Sequence, residues 1–140
     1  MKIVVAAALL LLPGGPVNAD AQTSLTPPQM SIRVLDRFVT LMNEKTPLRD
    51  NEMVTILSLR REGRKIVETI ALTHVADEAI FNFSETELKR MITNADTERY
   101  CSTNMKFLME GNVTVEFIYM LRGREFFRTT RSPAFCTVVN

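Results

Sequence analysis

The residues whose types could do chemistry here are two cysteines, one histidine, a few carboxylates in apolar settings and two arginine clusters. Cys101 and Cys136 stand at the ends of one stretch, CSTNMKFLMEGNVTVEFIYMLRGREFFRTTRSPAFC. In an exported chain such a pair reads as one disulfide, worth roughly 3–4 kcal/mol by chain entropy; the alternative is two buried thiols. His74 is the lone histidine, with Asp77 and Glu78 near it in sequence. A general base needs an orienting partner, and those acids are the candidates. The sequence has no nucleophile elbow, His-Glu-x-x-His helix or phosphate-binding loop. A disulfide would also remove both thiols from nucleophilic work. Two cysteines and one distant histidine do not supply the four ligands of a zinc site, so no metal and no cofactor is expected. Glu68 lies between Ile66 and Ile70, and Glu116 shares a strand face with Ile118 and Met120. Such settings raise a carboxylate pKa, but pairing with Arg or Lys on the sheet is the plainer reading. Arg60, Arg61, Arg64 and Lys65 surround one expected turn, and Arg122 and Arg124 surround another. These tips are the candidate interaction surface, suited to an acidic partner. The bland alternative is a solvated pair of tips that resists edge pairing.

Export follows from the first residues. Met1-Lys2-Ile3 leads into a short apolar run, broken at Pro13-Gly14-Gly15-Pro16 and followed by Val17-Asn18-Ala19. Those are the parts of a secretory signal peptide, residues 1–19. The run is too short to span a bilayer, which takes about 20 apolar residues, so no membrane anchor is expected after cleavage. The whole chain has 17 basic and 16 acidic residues; losing Lys2 and no acid leaves the remainder formally neutral. A nucleic-acid binder would carry a basic excess, so that class is set aside. The expected localisation is periplasmic or secreted.

The elements that must position these residues can be read in order. Residues 20–25 form a lead-in, and residues 26–140 have the length of one domain. Thr26-Pro27-Pro28-Gln29 reads as a capped helix start. Met30, Val34, Leu35, Phe38, Leu41 and Met42 give the helix one apolar stripe, ended by Thr46-Pro47. A first hairpin spans 52–61 and 64–73, turning at Glu62-Gly63, with Leu57 and Leu59 on its apolar face. Ser84-Glu85-Thr86-Glu87 is a capping box, and Asn94-Ala95-Asp96 is expected to break or bend the helix that follows. Ser102 is placed to cap a short helix ending at Gly111. A second hairpin runs over 113–121 and 124–131, turning at Arg122-Gly123. The expected fold is α+β: an N-terminal helix and two antiparallel hairpins in one four-stranded sheet, with helices between them packed on one face.

The region from about residue 46 to 136 resembles small exported proteins of Gram-negative bacteria, among them a group labelled quorum-sensing-regulated virulence factors. The likeness is carried by Cys101, Gly111, Val113, Val115, Phe117, Tyr119, Gly123, Arg128 and Cys136, and upstream by Pro47, Thr55, Leu57, Gly63 and Val67. It implies a periplasmic or secreted α+β domain without a known active site. The expected function is therefore non-catalytic, through contacts with a protein partner in envelope assembly, secretion or host interaction. A small periplasmic hydrolase or lyase using His74 with nearby carboxylates comes second. A carrier of an apolar ligand comes third; eight Met and eight Phe suit such a cavity and a plain core equally.

Overall fold

The computed structural model describes residues 28–73, 78 and 82–137. The signal segment, the lead-in, Thr26, His74 and Asp77 lie outside them. Helix α1 spans Ile32–Asn43 and is capped by Ser31, whose hydroxyl accepts from the Val34 N–H at 3.3 Å. The helix thus starts later than the Pro-Pro signal suggested. Leu35 is fully buried, and Phe38, Val39 and Met42 pack beside it on the core. That i, i+3, i+4, i+7 stripe is rotated from the expected one: Val39 turns inward, while Val34 and Leu41 are exposed.

The sheet has five strands in the order β1-β2-β3-β4-β5, one more than expected. They are β1 (Leu48–Arg49), β2 (Val54–Glu62), β3 (Lys65–Leu72), β4 (Thr114–Leu121) and β5 (Arg124–Arg131). Neighbours are antiparallel except β3 and β4, which run parallel with Lys65 beside Thr114 and Ala71 beside Met120. The sheet is therefore mixed, where the sequence suggested two hairpins in a purely antiparallel one. A parallel pair requires a long crossover, supplied by α2 (Glu85–Cys101) and α3 (Lys106–Glu110). The central place of β4 explains its sequence. Val115 through Tyr119 are all buried, Glu116 and Ile118 included, so the strand reads as near-continuous and not as an alternation.

The register of the first hairpin also differs from the expected one. Glu62 pairs with Lys65, so Gly63 and Arg64 form the turn, with Gly63 at φ 62°. A bulge between Ile56 and Ser58 then switches the faces. Ile56 and Val54 point to the helices where Leu57 was expected, and Leu57 is exposed. A second bulge, between Tyr119 and Met120, places Arg128 opposite Ile118 and Thr129 opposite Phe117.

One core joins the elements. Leu35 of α1, Tyr100 of α2 and Leu108 of α3 meet Ile56, Leu59, Ile66, Ile70, Val115 and Phe117 of the sheet. Burying each large apolar side chain contributes about 1.5–3 kcal/mol. The Ser84 capping box forms as expected: its hydroxyl accepts from the Glu87 N–H, and the Glu87 carboxylate accepts from the Ser84 N–H. The α2 helix does not break at Asp96 but continues to Cys101. After β5 a short helix α4, Pro133–Cys136, brings the second cysteine back. The Cys101 and Cys136 sulfurs are 2.00 Å apart, so the disulfide ties the end of α2 to α4.

Candidate functional site

The inward side of α2 repeats Leu88, Ile92, Ala95 and Arg99, with Met91 beside them. Leu88 is buried under the sheet, whereas Met91 and Ala95 are exposed. This edge of the helix does not close on the sheet. It borders a cleft of about 460 Å³ whose other wall is the β1–β2 connection, Asp50–Met53, with Val54, Leu72 and Tyr119 below. The wall is held firmly. The Asn51 side-chain carbonyl accepts from the N–H groups of Met53 (2.8 Å) and Val54 (3.1 Å), an Asx-type turn. The Thr73 N–H donates to the Met53 carbonyl at 2.9 Å. A second cleft, of about 520 Å³, lies beside the disulfide, where Asn94, Thr97, Glu98 and Ser102 put more polar groups among the apolar surface of Met109, Pro133 and the two cysteines. The cleft over Arg99 is the better candidate, because it joins apolar walls to a few fixed polar groups.

A buried polar cluster underlies that cleft. Asp96 has no exposed surface and accepts hydrogen bonds from the Tyr119 hydroxyl and from the Thr129 hydroxyl at 2.6 Å. Arg99 donates from Nη2 to Glu68 at 3.0 Å, has Nη1 4.0 Å from Asp96, and lies 5.3 Å above the Phe117 ring. Its Nε is buried without a hydrogen-bond partner. Burial pushes the Glu68 carboxyl up despite the pull of Arg99, and burial pushes Asp96 up against its hydrogen bonds. Burial also raises the Tyr119 phenol, so it stays a donor. Arg131 extends the cluster. It donates to Thr97 and to the Thr93 carbonyl, both at 3.1 Å, and lies 4.4 Å over Phe135. These groups lock α2 onto β4 and β5. Asp96 cannot meet a substrate from a fully buried position, so its work is to position the helix that walls the cleft.

The sequence-predicted residues fall elsewhere. Arg60 pairs with Glu62 at 2.8 Å and Arg61 with Asp36 of α1. Arg64 donates to the Met30 and Gly111 carbonyls, each at 2.8 Å, and Lys65 bridges Glu62 and Glu116. The first tip is thus largely neutralised from within. Arg122 and Arg124 sit at the other tip, Arg122 at φ 50° in the turn. Because β3 and β4 are parallel, the two tips leave opposite ends of the sheet, roughly 20 Å apart at the strand rise. They do not form one surface. Glu116 is buried and held below the usual carboxylate range, first by Lys65 and then by Arg128, the pairing with basic side chains expected on the sheet. Glu78 is exposed, while its neighbours His74 and Asp77 lie outside the described residues. Sequence reading missed Asp96 and Arg99. Their signal was an acid and a base three apart on the inner side of a capped helix, where apolar residues belong.

No protein-family model matches the sequence, and no curated protein matches it. The fold has solved counterparts. A protein of Pseudomonas aeruginosa assigned as secreted superposes with a TM-score of 0.55 at 12% identity, over 74% of this chain and 90% of that one. A type 2 secretion system pilotin from Vibrio vulnificus gives 0.59 at 10% identity, over 74% and 89%. The type II secretion system pilotin of Vibrio cholerae gives 0.57 at 13% identity, over 74% and 90%. The chain therefore shares the α+β fold of small Gram-negative proteins, two of them secretion-system pilotins. At these identities the likeness is one of fold. Among the described residues no helix is long and apolar enough to cross a membrane.

Proposed function

We propose that this chain is a non-catalytic, exported domain that works in the envelope by protein contact, in the assembly or operation of a secretion system. The observation that carries the reading is the cleft between Asp50–Met53 and α2. It is open, walled by apolar side chains, and held by a rigid Asx turn and a buried ion network. Such a site takes an apolar segment of a partner without chemistry. The shared fold with two pilotins of type II secretion systems gives the reading its biological setting. The finer kinship with the quorum-sensing-regulated group rests on the tail and upstream-hairpin residues of the sequence.

The test is complementation. A strain lacking this gene is compared with the same strain carrying wild-type protein or Ala95→Arg, and the secreted proteins are quantified. Ala95 is exposed at the cleft, so the substitution fills it without entering the core. The expected outcome is a secretion defect restored by wild type and not by Ala95→Arg, with unchanged thermal unfolding of the purified variant. Full restoration by Ala95→Arg would remove the cleft from the function.

A further inference from the structure

The geometry points to a particular kind of partner segment for this cleft: one whose apolar anchors are flanked by Lys or Arg. The inference rests on the cleft being the contact surface. Among the described residues, the charged lining consists of Asp50, Glu52 and Arg99. Arg99 is held at its two Nη atoms, by Glu68 at 3.0 Å and close to Asp96, and lies over the Phe117 ring; its unpaired Nε is buried below the rim. Asp50 and Glu52 are different. Both are exposed, and neither has an ion-pair partner among the described residues.

They also occupy fixed positions. The Asp50 N–H donates to the Val54 carbonyl at 3.2 Å, and the Glu52 carbonyl accepts from the Thr73 hydroxyl. The Asn51 side chain binds the backbone between and after them. Two carboxylates on a rigid rim therefore face whatever enters. A cation beside an apolar anchor meets both; an anion meets two like charges at the rim before it can reach Arg99. Rim charge of this kind discriminates between partners more than it adds affinity. The apolar floor supplies the affinity, and Met53 and Met91 let it adapt to the anchor. The preference is opposite to the acidic partner that the arginine tips suggested.

The experiment uses the mature protein with isotope-labelled methionine methyl groups and two Leu-rich peptides, identical except that one carries Lys where the other carries Glu. The Lys peptide is expected to shift the Met53 and Met91 methyl signals and to bind about tenfold tighter than the Glu peptide. Asp50→Lys with Glu52→Lys should reverse the order. Asp50→Asn with Glu52→Gln should abolish the preference, and both variants should keep the wild-type unfolding temperature. Equal binding of the two peptides to wild type, or tighter binding of the Glu peptide, overturns the charge inference alone. If neither peptide moves Met53 or Met91, the contact reading itself fails, and the charge inference with it.

Discussion

Asp96 decides most at the scale of single residues. Its carboxylate accepts two buried hydroxyl donors from β4 and β5 while sitting mid-helix. Asp96→Ala leaves both hydroxyls buried without an acceptor, and removing one side of a buried network costs about 2–4 kcal/mol. Urea unfolding of the variant should show that loss; a loss below about 1 kcal/mol would mean the network carries little. Glu68 makes a pH prediction. Burial raises its folded-state pKa above the unfolded value, so the folded chain holds its proton more readily. Its contribution is fully present below the unfolded pKa and is lost as pH rises through the folded one. Asp96 is shifted the same way by burial, and Glu116, held down by Lys65 and Arg128, acts in the opposite sense. Glu68→Gln stays neutral throughout. From about pH 4 to about pH 8, its stability relative to wild type should therefore improve. Parallel stability curves would contradict the assignment.

Among the elements, the connection from α3 to β4 shows what spacing alone hides. Gly111 was legible as a helix stop, but its φ is −79° and needs no glycine. Contact requires it instead: an added Cβ would lie 2.7 Å from the Met30 Cβ and 3.2 Å from the Phe107 carbonyl oxygen. The left-handed residue is Asn112, at φ 56°. Gly111→Ala should cost about 1–3 kcal/mol by overpacking, whereas Asn112→Gly should stay within about 1 kcal/mol of wild type. Thermal unfolding of the two variants checks the order, and equal losses would refute it. The hairpins themselves were legible, because Gly63 and Gly123 mark turns between alternating runs. Their registers were not: the first turn is Gly63-Arg64 in place of Glu62-Gly63, and each hairpin holds a bulge, where one extra residue moves every later side chain to the other face. Asn43 is a related case. Its side-chain amide exchanges two 2.8 Å hydrogen bonds with the Leu59 backbone, as a neighbouring strand would. No local pattern in the sequence announces that role.

For the whole molecule, the disulfide joins the last turn of α2 to the chain after β5. It secures the helix that walls the cleft. Cys136→Ala should cost about 2–5 kcal/mol, measured as a shift in urea midpoint. Mass spectrometry of the unreduced, alkylated wild-type protein should find no modified cysteine; two modified cysteines would refute the bond. The α+β class was readable from two hairpins separated by helical spacing. The parallel centre was not, since nothing local in β3 or β4 states which neighbour each strand will find. The cleft was illegible for the same reason. Its walls come from residues 50–54 and 88–99, and only the crossover brings them together.

The contact claim is tested most directly by photo-cross-linking in living cells. A photoreactive residue is placed at Met91, in the cleft, or at Leu57, on a strand outside it; the two positions are similarly exposed, at 44% and 41%. A discrete cross-linked envelope protein is expected from position 91, lost when Ala95→Arg is added, and none from position 57. A cross-link from 57 alone, or one from 91 that survives Ala95→Arg, would contradict the contact claim.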